Sequence, residues 1–202
     1  MAGLVILAIM IVYLIISLIV VQLARKTAKK YGGRGWVWGW VAALVMYNLV
    51  FWDWIPTVVM HKYYCTTEAG FWVYKSREEW IKENPGVFET LVSPKGARNT
   101  FEGSTDSGNY TDTYITNQRF RWVVKRSGPH PLNLWREEQK FVDVKTGEVL
   151  AKYVDFASSQ IRPTGSWQGW KFWLYSPHCA GGDMNKSLMR GFKNSLKGSL
   201  EE

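Results

Sequence analysis

Leu4 to Leu23, "LVILAIMIVYLIISLIVVQL", is a run of 20 residues without a charge. Coiled as a helix it rises about 30 Å, the thickness of a bilayer's hydrocarbon core. A chain of 202 residues has room for one ordinary domain beside such a segment, and too little for two. A secretory signal would carry a basic start, a shorter apolar centre and a small-residue cleavage site. Here "MAG" has no charged side chain, and "ARKTAKK" follows the run. The pattern therefore predicts a retained spanning helix.

A second apolar stretch begins at Trp36, "WVWGWVAALVMYNLVFWDWIPTVVM". Trp36, Trp38 and Trp40 stand at one end of it and Trp52 and Trp54 at the other. A helix from Trp36 to Trp54 rises about 27 Å, which would set the two groups in the two interfacial belts that indole rings prefer. Asp53 would then lie at headgroup level, and Pro56 would end or kink the span. The expected anchor is a two-helix transmembrane hairpin over 1–60, with spans at 4–23 and 36–56. Within it, Gly39 and Ala43 offer a small-residue face, and Tyr13, Ser17 and Asn48 are polar groups that should face protein rather than lipid. Depth along two antiparallel helices puts Tyr13 between Asn48 and Ala43.

The loop 24–35 carries Arg25, Lys26, Lys29, Lys30 and Arg34 and no acid. So basic a short loop stays in the cytoplasm, which sends both termini to the other side. Of the formal net charge of +8, this loop supplies more than half. The remaining domain is only mildly basic, so a nucleic-acid partner is not expected.

Beyond the membrane the chain has two cysteines, Cys65 and Cys179. In a bacterial periplasm they should pair, closing a loop of more than a hundred residues and stabilising the fold by about 4–5 kcal/mol. The competing use is a metal site in which His61 and His178 join the cysteines; disulfide formation would remove both thiolates.

Residues 61–202 are expected to form an α+β domain, an antiparallel sheet with a short early helix and a C-terminal helix. "GFWVYKS" is a strand. "SREEWIKENPG" is a helix, with Ser76 as cap, Glu79 three positions on and Pro85-Gly86 as the stop. "RFRWVVK" alternates as a strand, and a hairpin turns at Thr146-Gly147. "WQGWKFWLYS" is the last strand. Asp183 is the expected cap of a terminal helix with an apolar series Leu188, Phe192, Leu196. Ser93 to Asp112, rich in Gly, Ser, Asn, Asp and Thr, is expected to be a long loop.

The chemistry-bearing residues are sparse. No phosphate-binding glycine loop, nucleophile elbow or metalloprotease motif occurs, and no cofactor is expected. The acids Glu68, Glu78, Glu79 and Glu83 have nothing to place them in a cleft. Trp167, Trp170 and Trp173 are candidate contact residues, since exposed tryptophans anchor interfaces. Arg119, Arg121 and Lys125 could receive an anion, although Glu137, Glu138 and Asp143 on the next strand make ordinary cross-strand pairing the simpler use.

The segments "YCTTEAGFWVYK", "ENPGV", "TDTYITNQRFRWVVK", "FVDVKTGEVLAKYVDF" and "KFWLYSPHC" resemble a group of uncharacterised proteobacterial membrane proteins. The resemblance implies a Gram-negative inner membrane with a periplasmic domain and brings no catalytic residues with it. Two functions follow as expectations. The first is a non-enzymatic accessory or assembly subunit working with other membrane or periplasmic subunits. The second is a periplasmic binding or enzymatic domain with its site near the 93–112 loop.

Overall fold

The computed structural model describes residues 2–93, 99–102, 109–130, 132, 134–158, 174, 176 and 178–200. It divides into two compact units, one ending at Pro56 and one beginning at Thr57.

In the first unit, α1 (Ala2–Lys30) continues the apolar run into Lys29 and Lys30, whose charges suit a helix C-terminus. It is long and apolar enough to cross a membrane. Helix α2 (Gly35–Phe51) is shorter, and it breaks at Trp52–Asp53 before α3 (Trp54–Thr67) begins. The stretch expected as one span over 36–56 is therefore not one continuous helix. A proline ring clashes with the carbonyl four residues earlier, which for Pro56 is that of Trp52, so the break falls N-terminal to the proline. Pro56 itself sits in the first turn of α3, where its missing N–H is no loss. Asp53, expected at headgroup level, is buried.

Helices α1 and α2 meet through backbone and side-chain contacts. The Tyr13 hydroxyl donates to the Met46 carbonyl, between Ala43 and Asn48 in the sequence. Ser17 and Asn48 donate within their own helices, to Tyr13 O at 2.7 Å and Leu44 O at 2.8 Å. Each thus has a hydrogen-bond partner within its own helix. At Gly39 an added Cβ would lie 2.6 Å from Arg25 Cγ, so the glycine seats the arginine stem. Ala43 is half-buried on the same helix.

The second unit is built on a six-stranded antiparallel sheet in the order β1-β7-β6-β5-β4-β3. Its strands are β1 (Gly70–Val73), β3 (Asn99–Glu102), β4 (Tyr110–Ile115), β5 (Phe120–His130), β6 (Leu134–Asp143) and β7 (Val149–Ser158). Two-residue β2 (Val92–Ser93) and β8 (Ser199–Leu200) pair in parallel apart from it. The hairpin between β6 and β7 turns at Gly147, whose φ of 72° suits a residue without Cβ. Registers Phe120↔Asp143, Trp122↔Phe141 and Phe141↔Ala151 put these residues on one face. That face carries the core, in which Phe120, Phe141, Ala151 and Tyr153 pack with Trp80, Met189 and Leu196.

Helix α4 (Arg77–Glu83) starts where the sequence predicts. Ser76 Oγ accepts from Glu79 N at 3.2 Å, and Glu79 Oε2 accepts from Ser76 N at 2.8 Å. Helix α5 (Gly182–Ser195) differs from expectation twice. Its cap is Gly181 rather than Asp183, which lies in the first turn without capping through its side chain. Its buried stripe runs through Met189, Phe192 and Leu196, while Leu188 is 49 % exposed against 1 % for Met189. Positions 189, 192 and 196 follow the three-and-four spacing of a helix face better than a strict repeat of four.

The stretch expected as one loop, Ser93 to Asp112, contains β3 and the start of β4. Its polar composition hides an edge hairpin held by backbone pairing from Asn99↔Tyr114 to Glu102↔Thr111. Residues 94–98 and 103–108 lie outside the described residues, as does the stretch "WQGWKFW" expected as part of the last strand, with Trp167, Trp170 and Trp173.

Candidate functional site

Cys65 and Cys179 are joined in a disulfide with Cα atoms 5.3 Å apart. Cys65 leaves α3, which runs past Met60 to Thr67 instead of ending at the expected domain boundary. Around the bond, Tyr64 stacks on Phe156 with ring centroids 5.0 Å apart. Val154, Phe156 and Cys179 form a small apolar cluster with Tyr64, Cys65 and Ala69. His61 adds a polar contact, its Nε2 lying 3.3 Å from the Phe156 carbonyl oxygen. One ring stack and one polar contact thus fasten the second half of α3 to β7, and the disulfide fastens it to the segment before α5.

The far side of the disulfide is fixed by Asp155, a buried acid on β7. Its Oδ1 accepts from the backbone N–H of Phe156 at 2.9 Å and of Cys179 at 3.0 Å. Its Oδ2 accepts from the Tyr153 hydroxyl at 3.0 Å and meets His178 Nδ1. A buried carboxylate needs this density of donors to offset its lost hydration. The carboxylate holds Cys179 in position for the bond. Burial, and then the charge of Asp155, push the Tyr153 hydroxyl's pKa far above the ordinary tyrosine value, so it stays a donor. Close packing continues at Gly182, where an added Cβ would lie 3.1 Å from Asp155 Oδ2.

His61 and His178 are therefore separated in role. His61 stands against the disulfide, with Nε2 3.5 Å from Cys65 Sγ. His178 is taken up by Asp155. Asp155 was not singled out from sequence; the available signal was an acid inside the apolar run "YVDFA" of a central strand, on the same face as Tyr153.

Arg119, Arg121 and Lys125 do not make one basic face. Arg119 precedes β5, outside its alternation, and Arg119 Nε pairs with Asp143 Oδ1 at 2.6 Å. Arg121 Nη1 donates to Asn117 O at 2.8 Å and Phe120 O at 3.2 Å. Lys125 is exposed, opposite Glu138 on the next strand. Glu138 is itself ringed by Lys140 at 2.9 Å, Arg136 at 3.1 Å and Lys152 at 3.5 Å. Burial works to raise its pKa, but the Lys140 hydrogen bond and the three charges outweigh it and hold the carboxyl below its usual range. The acids of α4 are equally unlike a catalytic pair: Glu79 caps the helix and Glu83 pairs with Lys75 at 2.9 Å.

The other feature is the sheet edge. Among the described residues, strand β1 pairs with β7 alone and ends the sheet. Trp72, Val73 and Tyr74 are 38, 45 and 60 % exposed there. Tyr74 N–H donates inward to Leu150 O at 2.8 Å. By the alternation of a ladder, Val73 then turns its N–H outward. An edge with outward backbone groups and large apolar side chains is a template for a further strand.

Fold and site together describe an α+β domain behind an apolar helix long enough to cross a bilayer, with a disulfide between α3 and the segment before α5. Comparison with protein-family models, curated proteins and solved structures finds no match for this chain.

Proposed function

We propose that the chain is a non-enzymatic accessory or assembly subunit of a bacterial inner-membrane or envelope complex, anchored by a two-helix hairpin with its domain and both termini in the periplasm. The observation that carries this reading is the β1 edge, unpaired among the described residues, with its exposed Trp72, Val73 and Tyr74. The partner is a protein that adds a strand to that edge, main-chain bonds giving affinity and the aromatic side chains specificity. The basic loop of residues 24–35 supports the orientation, and the disulfide suits an oxidising compartment.

Purification of the full chain from mild detergent tests the reading. A stoichiometric protein partner should accompany the wild type and be lost with Val73→Pro, which removes an outward N–H and leaves the β1–β7 bonds in place. A lone wild-type chain, or full retention by a folded Val73→Pro variant, would contradict it.

A further inference from the structure

Apart from the docking edge, the structure brings one imidazole and two sulfur atoms together. The ligating atoms of His61, Cys65 and Cys179 all lie within 4.8 Å of one another. His61 and Cys65 are one helical turn apart on α3, so their side chains leave the same face. Cys179 arrives from the segment that Asp155 holds on β7. The separation of His61 Nε2 from Cys65 Sγ is 3.5 Å. Two ligands sharing a tetrahedral zinc ion, with bonds of about 2.0 Å to nitrogen and 2.3 Å to sulfur, stand about 3.5 Å apart. The Phe156 carbonyl oxygen is near both sides of the group, 3.3 Å from His61 Nε2 and 3.7 Å from Cys179 Sγ. Water or this oxygen can complete four-coordination.

We propose that reduction of Cys65–Cys179 turns the disulfide into a mononuclear zinc site formed by His61, Cys65 and Cys179. The site then holds α3 to the segment before α5 in either redox state, through the Cys65–Cys179 bond when oxidised and through the metal when reduced. A dithiol reductant passes two electrons and two protons to the S–S bond and becomes a disulfide itself, leaving two thiols on this chain. Zinc binding displaces one proton from each thiol. Binding at Nε2 leaves the imidazole's proton on Nδ1 and releases the contact with the Phe156 carbonyl. Transfer of two electrons to an incoming disulfide re-forms the S–S bond and expels the ion. His178 meets Asp155 through Nδ1 and does not stand within the group that His61, Cys65 and Cys179 form. The clasp serves chains not yet oxidised, before the disulfide is made.

The test uses the full chain in detergent, reduced with a phosphine and titrated with cobalt(II) as a spectroscopic stand-in for zinc. One equivalent should give thiolate-to-cobalt charge transfer in the near ultraviolet and the strong visible bands of a tetrahedral site, both abolished by zinc. The oxidised chain should give neither. His61→Ala should weaken binding by more than about tenfold, the least that loss of even an outer-shell partner brings. His178→Ala should bind as the wild type does. Zinc should also slow alkylation of both thiols in the reduced wild type, a readout that needs no variant. Absence of the tetrahedral spectrum, absence of protection, or wild-type affinity in His61→Ala would each overturn the proposal.

Discussion

The indole N–H of Trp80 donates to Asp143 Oδ2 at 2.9 Å. A helix near the start of the domain is thereby tied to the end of a central strand through a buried carboxylate. Arg119 holds the other oxygen at 2.6 Å, and the Lys145 N–H shares it at 2.9 Å. Trp80→Phe keeps an aromatic ring against Phe120 and removes one donor, so it should cost about 1–3 kcal/mol. Arg119→Met should cost more, about 3–5 kcal/mol, because it leaves a buried charge uncompensated. Urea unfolding of the two variants gives the order.

Burial alone would raise the Asp143 pKa, but the hydrogen bonds from Arg119, Trp80 and Lys145 outweigh it and hold the carboxyl below the usual aspartate range. Its folded pKa is therefore lower than its unfolded one. The stability it contributes is present in full above about pH 4 and is lost as pH falls through the folded value. Wild type should lose stability below about pH 4 faster than Asp143→Asn, which has no charge there to lose. Parallel stability curves would contradict this origin of the acid sensitivity.

Gly198 sits at φ 78°, and a Cβ added there would meet the Leu91 carbonyl oxygen and lie 2.7 Å from Leu91 Cβ. It starts the β8 pairing that brings Ser199 N–H to Leu91 O at 3.1 Å. Gly198→Ala should cost more than the roughly 1–2 kcal/mol of a left-handed residue with a side chain, because the clash adds to it. A thermal melt checks the loss.

Two thiols should label with an alkylating reagent only after reduction, since the described residues contain no free cysteine. Cys65→Ser with Cys179→Ser should lower stability by about 4–5 kcal/mol in metal-free buffer, given the 114-residue separation. A reporter active only outside the cytoplasm, fused after Glu202, should be active. The same reporter inserted at Gly33 should be silent.

Local signals were legible in the sequence wherever one residue type has one physical use. Ser76 and Glu79 announce the start of α4, Gly147 announces the hairpin, and the uncharged run announces α1. What escaped depends on contacts distant in sequence. Asp143 and Asp155 look like surface acids until their donors arrive from α4, from before β5 and from the segment at Cys179. Strand β3, "NTFE", has no alternation to read and exists because β4 pairs with it. The basic series Arg119, Arg121, Lys125 failed as a face because its first member lies before β5 begins. The sequence sets His61 and His178 beside the cysteines as alternative metal ligands; what distinguishes His61 is the helical spacing in "HKYYC", which puts it on one face of α3 with Cys65.

The central claim is that the β1 edge receives a partner strand, and photo-crosslinking in intact membranes tests it most directly. A benzophenone amino acid at position 74, the most exposed of the three edge residues, should give one dominant adduct with another protein. The same probe at Lys125 should not give it, and Val73→Pro in the same chain should abolish it. No adduct from position 74 in a stably inserted chain, or the same adduct from position 125, would contradict the account.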